Sequence, residues 1–274
     1  MKWLVIGIIS TALLHISCRE TTDGCCDDSY ATNFDPEAEE RSCCEYPLFI
    51  MGMDHYFSDD SSNVIPDTGF FTLPNSPNDS FQIASSAWFF YGMQVYIDEN
   101  WVDLEGVTTV VEADGTESQV IQNFDVHERR RFRLAELGEL RRSERPDSIR
   151  FSTGWSAIRL DTTDMGLSGN SALQNAKELE LYSSEKFVLQ CRLQLRQISG
   201  QDTNIVELPV DGITQLTYAI DPVVWERGFE RRIQLKLSYD ELLANYSSQN
   251  NVENNVKHLK SNINNETIEL DTIY

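Results

Sequence analysis

Three side chains that could bind a metal fall on one face of the first predicted strand. Met51, Met53 and His55 stand at every second position, and a β-strand places such residues on the same side. Thioether sulfur and imidazole nitrogen together suit copper, above all Cu(I). Phe49 and Phe57 continue this face, however, and methionine commonly fills gaps in hydrophobic cores. The spacing therefore supports two interpretations, of which a core stripe is the commoner.

Two further histidines outside the leader could complete a site with His55. His258 lies on a predicted helix, and His127 is distant from both in sequence. The chain contains no zincin helix, Gly-x-Ser-x-Gly elbow or phosphate-binding loop. The sequence therefore predicts a non-enzymatic binding domain, with copper as the candidate cofactor. The candidate metal ligands are Met51, Met53, His55 and His258.

A doubly paired cysteine block follows the leader. Its members are Cys25, Cys26, Cys43 and Cys44. In an exported chain such thiols oxidise, and bonding direct neighbours would need strained rings, so two cross-loop pairings stay open. A zinc site is the rival, although zinc ligands are usually separated by about two to four residues. Carboxylates in the block could hold Ca²⁺, yet so small a module needs its disulfides to fold. We therefore expect a disulfide-stapled spacer over residues 25–46.

The first 17 residues have the character of a signal peptide. The apolar run from Leu4 to Ile16 is far too short to span about 30 Å of hydrocarbon. Ser17 before Cys18 resembles a bacterial lipoprotein processing site, although His15 occupies a position that is usually aliphatic. We expect a lipid anchor on Cys18, a tether over residues 18–24, and a location in the cell envelope, at the outer membrane.

The composition limits the classes of partner. A formal net charge of −22 makes nucleic acid a poor partner and keeps an exported protein soluble. With 41% hydrophobic residues, the stretch after the cysteine block can bury one substantial core. The expected partners are the membrane, through the lipid anchor, and an envelope or metal-transport protein.

Alternation with a period of two dominates the chain from residue 47 onward and is typical of strands with one buried face. One such strand runs from Phe187 to Arg196 and places Cys191 in the core. The other predicted strands are Phe49–Phe57, Ala87–Ile97, Ser148–Thr153, Asn204–Pro209, Gly212–Ile220 and Ile233–Tyr239. The pattern predicts an all-β fold, an antiparallel β-sandwich.

Other signals mark one helix and the connections between strands. Val252, Val256, Leu259 and Ile263 form an apolar stripe at helical spacing, so a short C-terminal helix is predicted to pack on the sandwich. Turn signals stand at Asp114-Gly115 and Asp211-Gly212, and loop signals at Pro74 to Asp79 and Asp161 to Asn170.

The cysteine block resembles the GCTDP-type modules of surface and secreted proteins from Bacteroidetes. The shared residues are Cys26, Ala31, Asn33, Phe34, Pro36, Ala38, Cys44 and Tyr46. The Asp-Asp-Gly stretch of those modules is replaced by Glu39-Glu40-Arg41-Ser42, and Cys25 and Cys43 are additions. The resemblance implies a protein of the cell surface.

The later segments resemble the MbnP-like domain family, whose named members are periplasmic copper-binding proteins. The segments are a first strand ending in His55, FFYGMQVYID, DSIRFSTGW, ELELYSSEKFVLQCRLQLRQ and NNVKHLKSNI. The family often carries tryptophans where this chain has Leu179 to Tyr182, so copper binding is not simply inherited. The resemblance implies one β-sandwich domain over residues 47–274 that handles copper or another metal. A structural or adhesive surface module without metal is the alternative.

Overall fold

The computed structural model describes residues 26–38, 43–57, 69–105, 107–111, 117–121, 123–129, 135–140, 146–155, 175–176, 178–181, 188–220 and 230–273. The strands within these ranges are β1 (Leu48–Tyr56), β2 (Phe71–Leu73), β3 (Ser76–Ile97), β4 (Asn100–Asp103), β5 (Val107–Val111), β6 (Glu117–Ile121), β7 (Phe124–Glu128), β8 (Ala135–Glu139), β9 (Ser148–Thr153), β10 (Cys191–Ser199), β11 (Asp202–Val210), β12 (Thr214–Ala219), β13 (Arg231–Ser238) and β14 (Ile268–Ile273). The helices are α1 (Tyr239–Leu242) and α2 (Val252–Asn262).

Two sheets form the sandwich. The first has the strand order β14-β13-β1-β8. The second has the order β11-β10-β3-β9-β12, and β2, β4 and β7 join it by pairing with the long strand β3. Strands β5 and β6 pair with each other in a separate hairpin. Among the described strands the pairing is antiparallel, except that β1 and β13 run parallel. The predicted all-β sandwich is confirmed.

Alternating apolar side chains from both sheets fill the space between them. In β10 the buried residues Cys191, Leu193 and Leu195 alternate with more exposed polar residues, as the sequence pattern predicted. They join Phe49 of the first sheet in one continuous core. Each fully buried aliphatic side chain contributes roughly 1.5–3 kcal/mol, so this interior holds the two sheets together.

A second apolar cluster lies outside this main core. It contains Phe89 and Trp155, whose rings stack with centroids 6.0 Å apart, and the β7 residues Phe124 and Val126. Leu181 and other apolar residues also belong to it. Because Phe124 and Val126 turn to this cluster, their alternating neighbours on β7 must face the main core.

The boundaries of several elements differ from the sequence prediction. The predicted loop from Pro74 to Asp79 is wrong, because β3 already begins at Ser76. The Ser76 hydroxyl accepts a hydrogen bond from the Ser248 backbone N–H at 2.8 Å, a contact that local sequence patterns do not reveal. The strand predicted from Phe187 begins only at Cys191.

The signals near the C-terminus are largely confirmed. Gly212 has a φ of +101° in the turn after β11, a conformation that glycine adopts without strain. Helix α2 starts where its stripe predicted, and the Asn251 side chain accepts from the Asn254 N–H as an N-cap. Leu259 and Ile263 are buried, whereas Val252 is exposed. The predicted turn at Asp114-Gly115 and the loop at Asp161 to Asn170 lie outside the described residues.

A membrane-spanning helix is absent from the described part of the chain, where each helix is too short or too polar to cross a bilayer.

Candidate functional site

Strand β1 directs its methionines and its histidine into the sandwich. Met51 and Met53 are buried in the main core among apolar side chains. His55 follows on the same face and is only 5% exposed. The methionines therefore have the environment of a core stripe, while the same alternation places an imidazole in an apolar interior.

His55 meets His127 across the sandwich. The Nε2 atoms of the two imidazoles are 3.1 Å apart. Their ring centroids are separated by 5.4 Å and their planes differ by 23°. That centroid separation equals the nitrogen distance plus one ring radius on each side, so the two Nε2 atoms point directly at each other. The contact is a hydrogen bond in which one imidazole donates and the other accepts.

Strand β7 places His127 in this position. In the pairing of β7 with β3, His127 stands opposite Trp88, and Trp88 stands opposite Cys191 on β10. Residues directly opposite each other share a face of the sheet, and Trp88 and Cys191 belong to the main core. Asp125 is also buried, and its Oδ2 accepts a hydrogen bond from the Glu136 N–H at 3.0 Å.

Both histidines of this pair are held in the neutral form. Burial lowers the pKa of His127 to about 4. Burial also lowers the pKa of His55 well below its usual value, and the charges of His127 and Arg129 add to this effect. The Arg129 guanidinium is anchored by a hydrogen bond from Nη1 to the Ile83 carbonyl, 2.9 Å long. Near neutral pH each ring therefore keeps a lone pair, which is the form of histidine that binds metals.

Tyr239 supports the other side of His55. Its hydroxyl lies 3.0 Å from His55 Nδ1 in the buried interior. Burial raises the pKa of Tyr239, and the nearby Ser86 hydroxyl has a smaller, opposing effect. The Trp88 Nε1–H donates to Ser86 Oγ at 3.0 Å. We call the series Trp88, Ser86, Tyr239, His55 and His127 the buried polar chain.

The buried polar chain has an open end. His127 is 7% exposed, and its Nδ1 atom has no hydrogen-bond partner among the residues that the structure describes. A buried polar atom without a partner costs about 1–3 kcal/mol. Such an atom in a folded protein calls for an explanation, and a functional site is one of them.

The structure brings together only part of the predicted ligand set. His258 lies on α2, is partly exposed, and belongs to a different region from the histidine pair. Cys191 is a free, buried cysteine, and burial raises the pKa of its thiol. Within the described ranges, no group of three or more His, Cys, Asp or Glu side chains is arranged to hold a metal ion. The chemistry available is that of two imidazoles facing each other.

The cysteine module contains a disulfide between Cys26 and Cys44. Cys43 is also disulfide-bonded. The Cys26–Cys44 bond belongs to one of the two cross-loop pairings left open by the sequence. Cys25 and the candidate lipidation residue Cys18 lie outside the described residues.

Polar side chains of the module are used within the module. Asp28 accepts from the Tyr30 N–H and from the Tyr46 hydroxyl, both at 3.0 Å. Asn33 donates to the Cys43 carbonyl and accepts from the Glu45 N–H. These hydrogen bonds hold the loop of the module closed, as expected for a structural unit.

Sequence reasoning named His55 and His127 but missed the groups that hold them. Tyr239 falls at the junction of β13 and α1, where its alternation indicated only a core residue. Ser86 and Trp88 stand two apart on β3, which is a weak signal for a shared face. Arg129 begins a run of arginines, and the spacing of such a run does not indicate which member turns into the interior.

Comparison with known proteins provides little further guidance. No protein-family model matches the chain, and no curated protein matches it. Among solved structures, MbnP from Methylosinus trichosporium matches with a TM-score of 0.37 and 7% sequence identity, over 72% of this chain and 77% of that chain. The match concerns the family already noted from the sequence. At this score it assigns no activity, and membership of that family stays a prediction.

Proposed function

We propose that the β-sandwich is a metal-binding domain that holds Cu(I) through His55 and His127. The observation that carries this proposal is the approach of two neutral, buried imidazoles with Nε2 atoms 3.1 Å apart. Metal–imidazole bonds are about 2.0–2.1 Å long in zinc sites. Two nitrogens at this separation are close enough for one ion to contact both.

The donor set agrees with copper better than with a hard cation. Imidazole nitrogen suits copper and zinc, whereas Ca²⁺ and Mg²⁺ require several oxygen ligands. The thioethers of Met51 and Met53 lie on the same strand face as His55, in an interior that excludes water. The Nδ1 atom of His127, which has no partner among the described residues, also leaves room for a further ligand.

We propose binding rather than catalysis, and a location in the cell envelope. The absence of a recognisable nucleophile and base motif in the sequence supports the first point. The Cys26–Cys44 disulfide supports the second, because such bonds persist in oxidising compartments. The partners would be the membrane, through a lipid on Cys18, and an envelope or metal-transport protein.

Competition with a Cu(I) chelator under reducing, oxygen-free conditions tests the copper site. We expect the full chain to bind one equivalent, and His55→Gln and His127→Gln each to lose more than tenfold in affinity, which corresponds to about 1.4 kcal/mol. His258→Gln is the matched control and should bind as the parent does. Circular dichroism of each variant checks that it folds. Parent-like affinity in both His55→Gln and His127→Gln would refute the site.

A structural or surface role without metal is the second candidate. The head-on alignment of the two rings favours it, because a shared proton explains that alignment by itself. Failure of the parent to bind Cu(I), Cu(II) or Zn²⁺ would select this candidate.

Fractionation of cells tests the proposed anchor. Cys18→Ala should move the protein from the membrane fraction to the soluble fraction, because the acyl chains supply the membrane affinity. A Cys191→Ala variant is the matched control and should remain with the membrane. An unlipidated parent by mass spectrometry would contradict the anchor.

A further inference from the structure

The buried polar chain begins at a group that can only donate. Trp88 Nε1–H donates to Ser86 Oγ at 3.0 Å, and an indole nitrogen has no acceptor capacity. The Ser86 hydroxyl therefore accepts at this contact and keeps its own proton for another partner. The Ser86 hydroxyl also lies near the Tyr239 phenol, whose pKa it affects.

The direction of the following links is set at Tyr239. Within the described residues the hydrogen bond of the Tyr239 hydroxyl is to His55, so its proton is satisfied by donation there. The acceptor it faces is His55 Nδ1, 3.0 Å away. A neutral imidazole carries one proton, so His55 must then carry it on Nε2. That proton points at His127 Nε2, which must be the acceptor in the 3.1 Å contact.

We infer that the buried polar chain is polarised from Trp88 toward His127, so that Tyr239 acts as a positioning residue that selects the Nε2–H tautomer of His55 and the Nδ1–H tautomer of His127. The opposite direction would leave the Tyr239 proton without a hydrogen-bond acceptor among the described residues. In the inferred direction the Nδ1 atom of His127 carries a proton, and it is an atom without a partner among those residues.

The polarity also bears on metal binding, and this part rests on the proposed function. To offer a lone pair at Nε2, His55 must carry its proton on Nδ1 and donate it to Tyr239. The Tyr239 hydroxyl would then accept rather than donate, which a hydroxyl group can do. Cu(I) binding through His55 Nε2 therefore requires that His55 change its tautomer.

The direct test is a long-range ¹H–¹⁵N correlation spectrum of the ¹⁵N-labelled, metal-free full chain at neutral pH. Ring nitrogens with and without a proton resonate far apart, and the spectra of His55→Gln and His127→Gln assign the signals. We expect His55 to be protonated on Nε2 and His127 on Nδ1. Protonation of His127 on Nε2 would overturn the inferred direction.

Tyr239→Phe tests the positioning role. Without the phenolic donor, His55 should exchange between its two tautomers and show averaged ring-nitrogen shifts. Tyr218→Phe is the matched control, because Tyr218 donates a buried hydrogen bond elsewhere, to the Ile268 carbonyl, and its loss should leave both histidine patterns unchanged. Parent-like tautomers in Tyr239→Phe would overturn the inference. If that variant does not fold, the tautomers of the parent chain, measured as above, decide the inference.

These spectra separate the inference from the proposed function because they are recorded without metal. If the tautomers are as expected but copper does not bind, only the metal site is rejected. Reversed tautomers in a chain that binds copper through both histidines would reject only the polarity.

Discussion

The cysteine module and the buried polar chain both contain residues that the sequence marked as chemically capable. The two regions differ in how completely their polar side chains are hydrogen-bonded. In the module, the side chains of Asp28 and Asn33 bond to backbone and side-chain groups a short distance away in the sequence. In the sandwich, the histidine pair joins residues 72 positions apart, and the Nδ1 atom of His127 has no partner within the described part of the chain. A closed set of local bonds indicates a structural unit, whereas an incomplete buried set indicates a place where a ligand can add something.

Reduction of the module's disulfides should have the largest effect and would separate the two regions. The Cys26–Cys44 bond closes a loop with a sequence separation of 18, and such a bond stabilises by about 3 kcal/mol. We expect the reduced module to be cleaved rapidly by proteases between residues 26 and 44. The thermal unfolding of the sandwich should change little, with untreated protein as the control. Simultaneous unfolding of the sandwich would show that the two regions form one unit.

Acidification should act on the sandwich and spare the module. The folded-state pKa of His127 is about 4, below the ordinary value of 6.5. As the pH falls, the unfolded chain therefore takes up a proton before the folded chain does, and stability present above pH 6.5 is lost down to about pH 4. The loss amounts to roughly 3 kcal/mol for this group.

Urea unfolding at a series of pH values measures this loss. The slope of the unfolding free energy against pH should be reduced in His127→Gln and retained in the control His258→Gln. A parent-like slope in His127→Gln would show that His127 does not contribute to the acid sensitivity.

Two single substitutions compare the stability contributed by hydrogen bonds in the buried polar chain with that contributed by hydrogen bonds in the cysteine module. Tyr239→Phe removes the partner of a buried nitrogen and should lower the free energy of unfolding by about 1–3 kcal/mol. Asn33→Ala removes bonds in a partly exposed loop, where water can replace them, and should cost about 0.5–1.5 kcal/mol. Chemical denaturation measures the first, and the protease sensitivity of the module measures the second. Equal, small effects at both positions would remove the distinction between the regions.

Added Ca²⁺ should have the smallest effect. Asp28 is already used by Tyr30 and Tyr46, and Asp35 accepts from the Glu37 N–H. A millimolar addition should leave the module's protease sensitivity unchanged, with Mg²⁺ as the control. Protection by Ca²⁺ alone would revive the cation interpretation of the acidic block.

The strands of the sandwich could be predicted because alternation is a local property. In β10 the period of two alone placed Cys191, Leu193 and Leu195 in the core. The beginning of β3 could not be predicted this way. Pro77 and Asn75 indicate a turn by composition, yet tertiary contacts extend the strand back to Ser76, and a proline is tolerated near a strand end.

Only one member of the histidine pair could be predicted from the sequence to face the core. The spacing of Met53 and His55 predicted that His55 faces the core, but the partner comes from the opposite sheet. Three scattered histidines offer three possible pairs, and only the fold chooses between them. Tyr239 was missed for the same reason, because its hydroxyl acquires a role only when β1 lies beside β13.

The parallel pairing of β1 with β13 also governs the order in which the protein can assemble. Residues Phe49 to Tyr56 align with Arg231 to Ser238. The first strand in the chain can therefore complete its pairing only after one of the last strands is present. Contacts of such long sequence separation are formed slowly. Until then β1 exposes an unpaired edge with Phe49, Met51 and Met53 on one face, which is the kind of segment that associates with other chains. Association with other chains is therefore most favoured while β1 has not yet paired with β13.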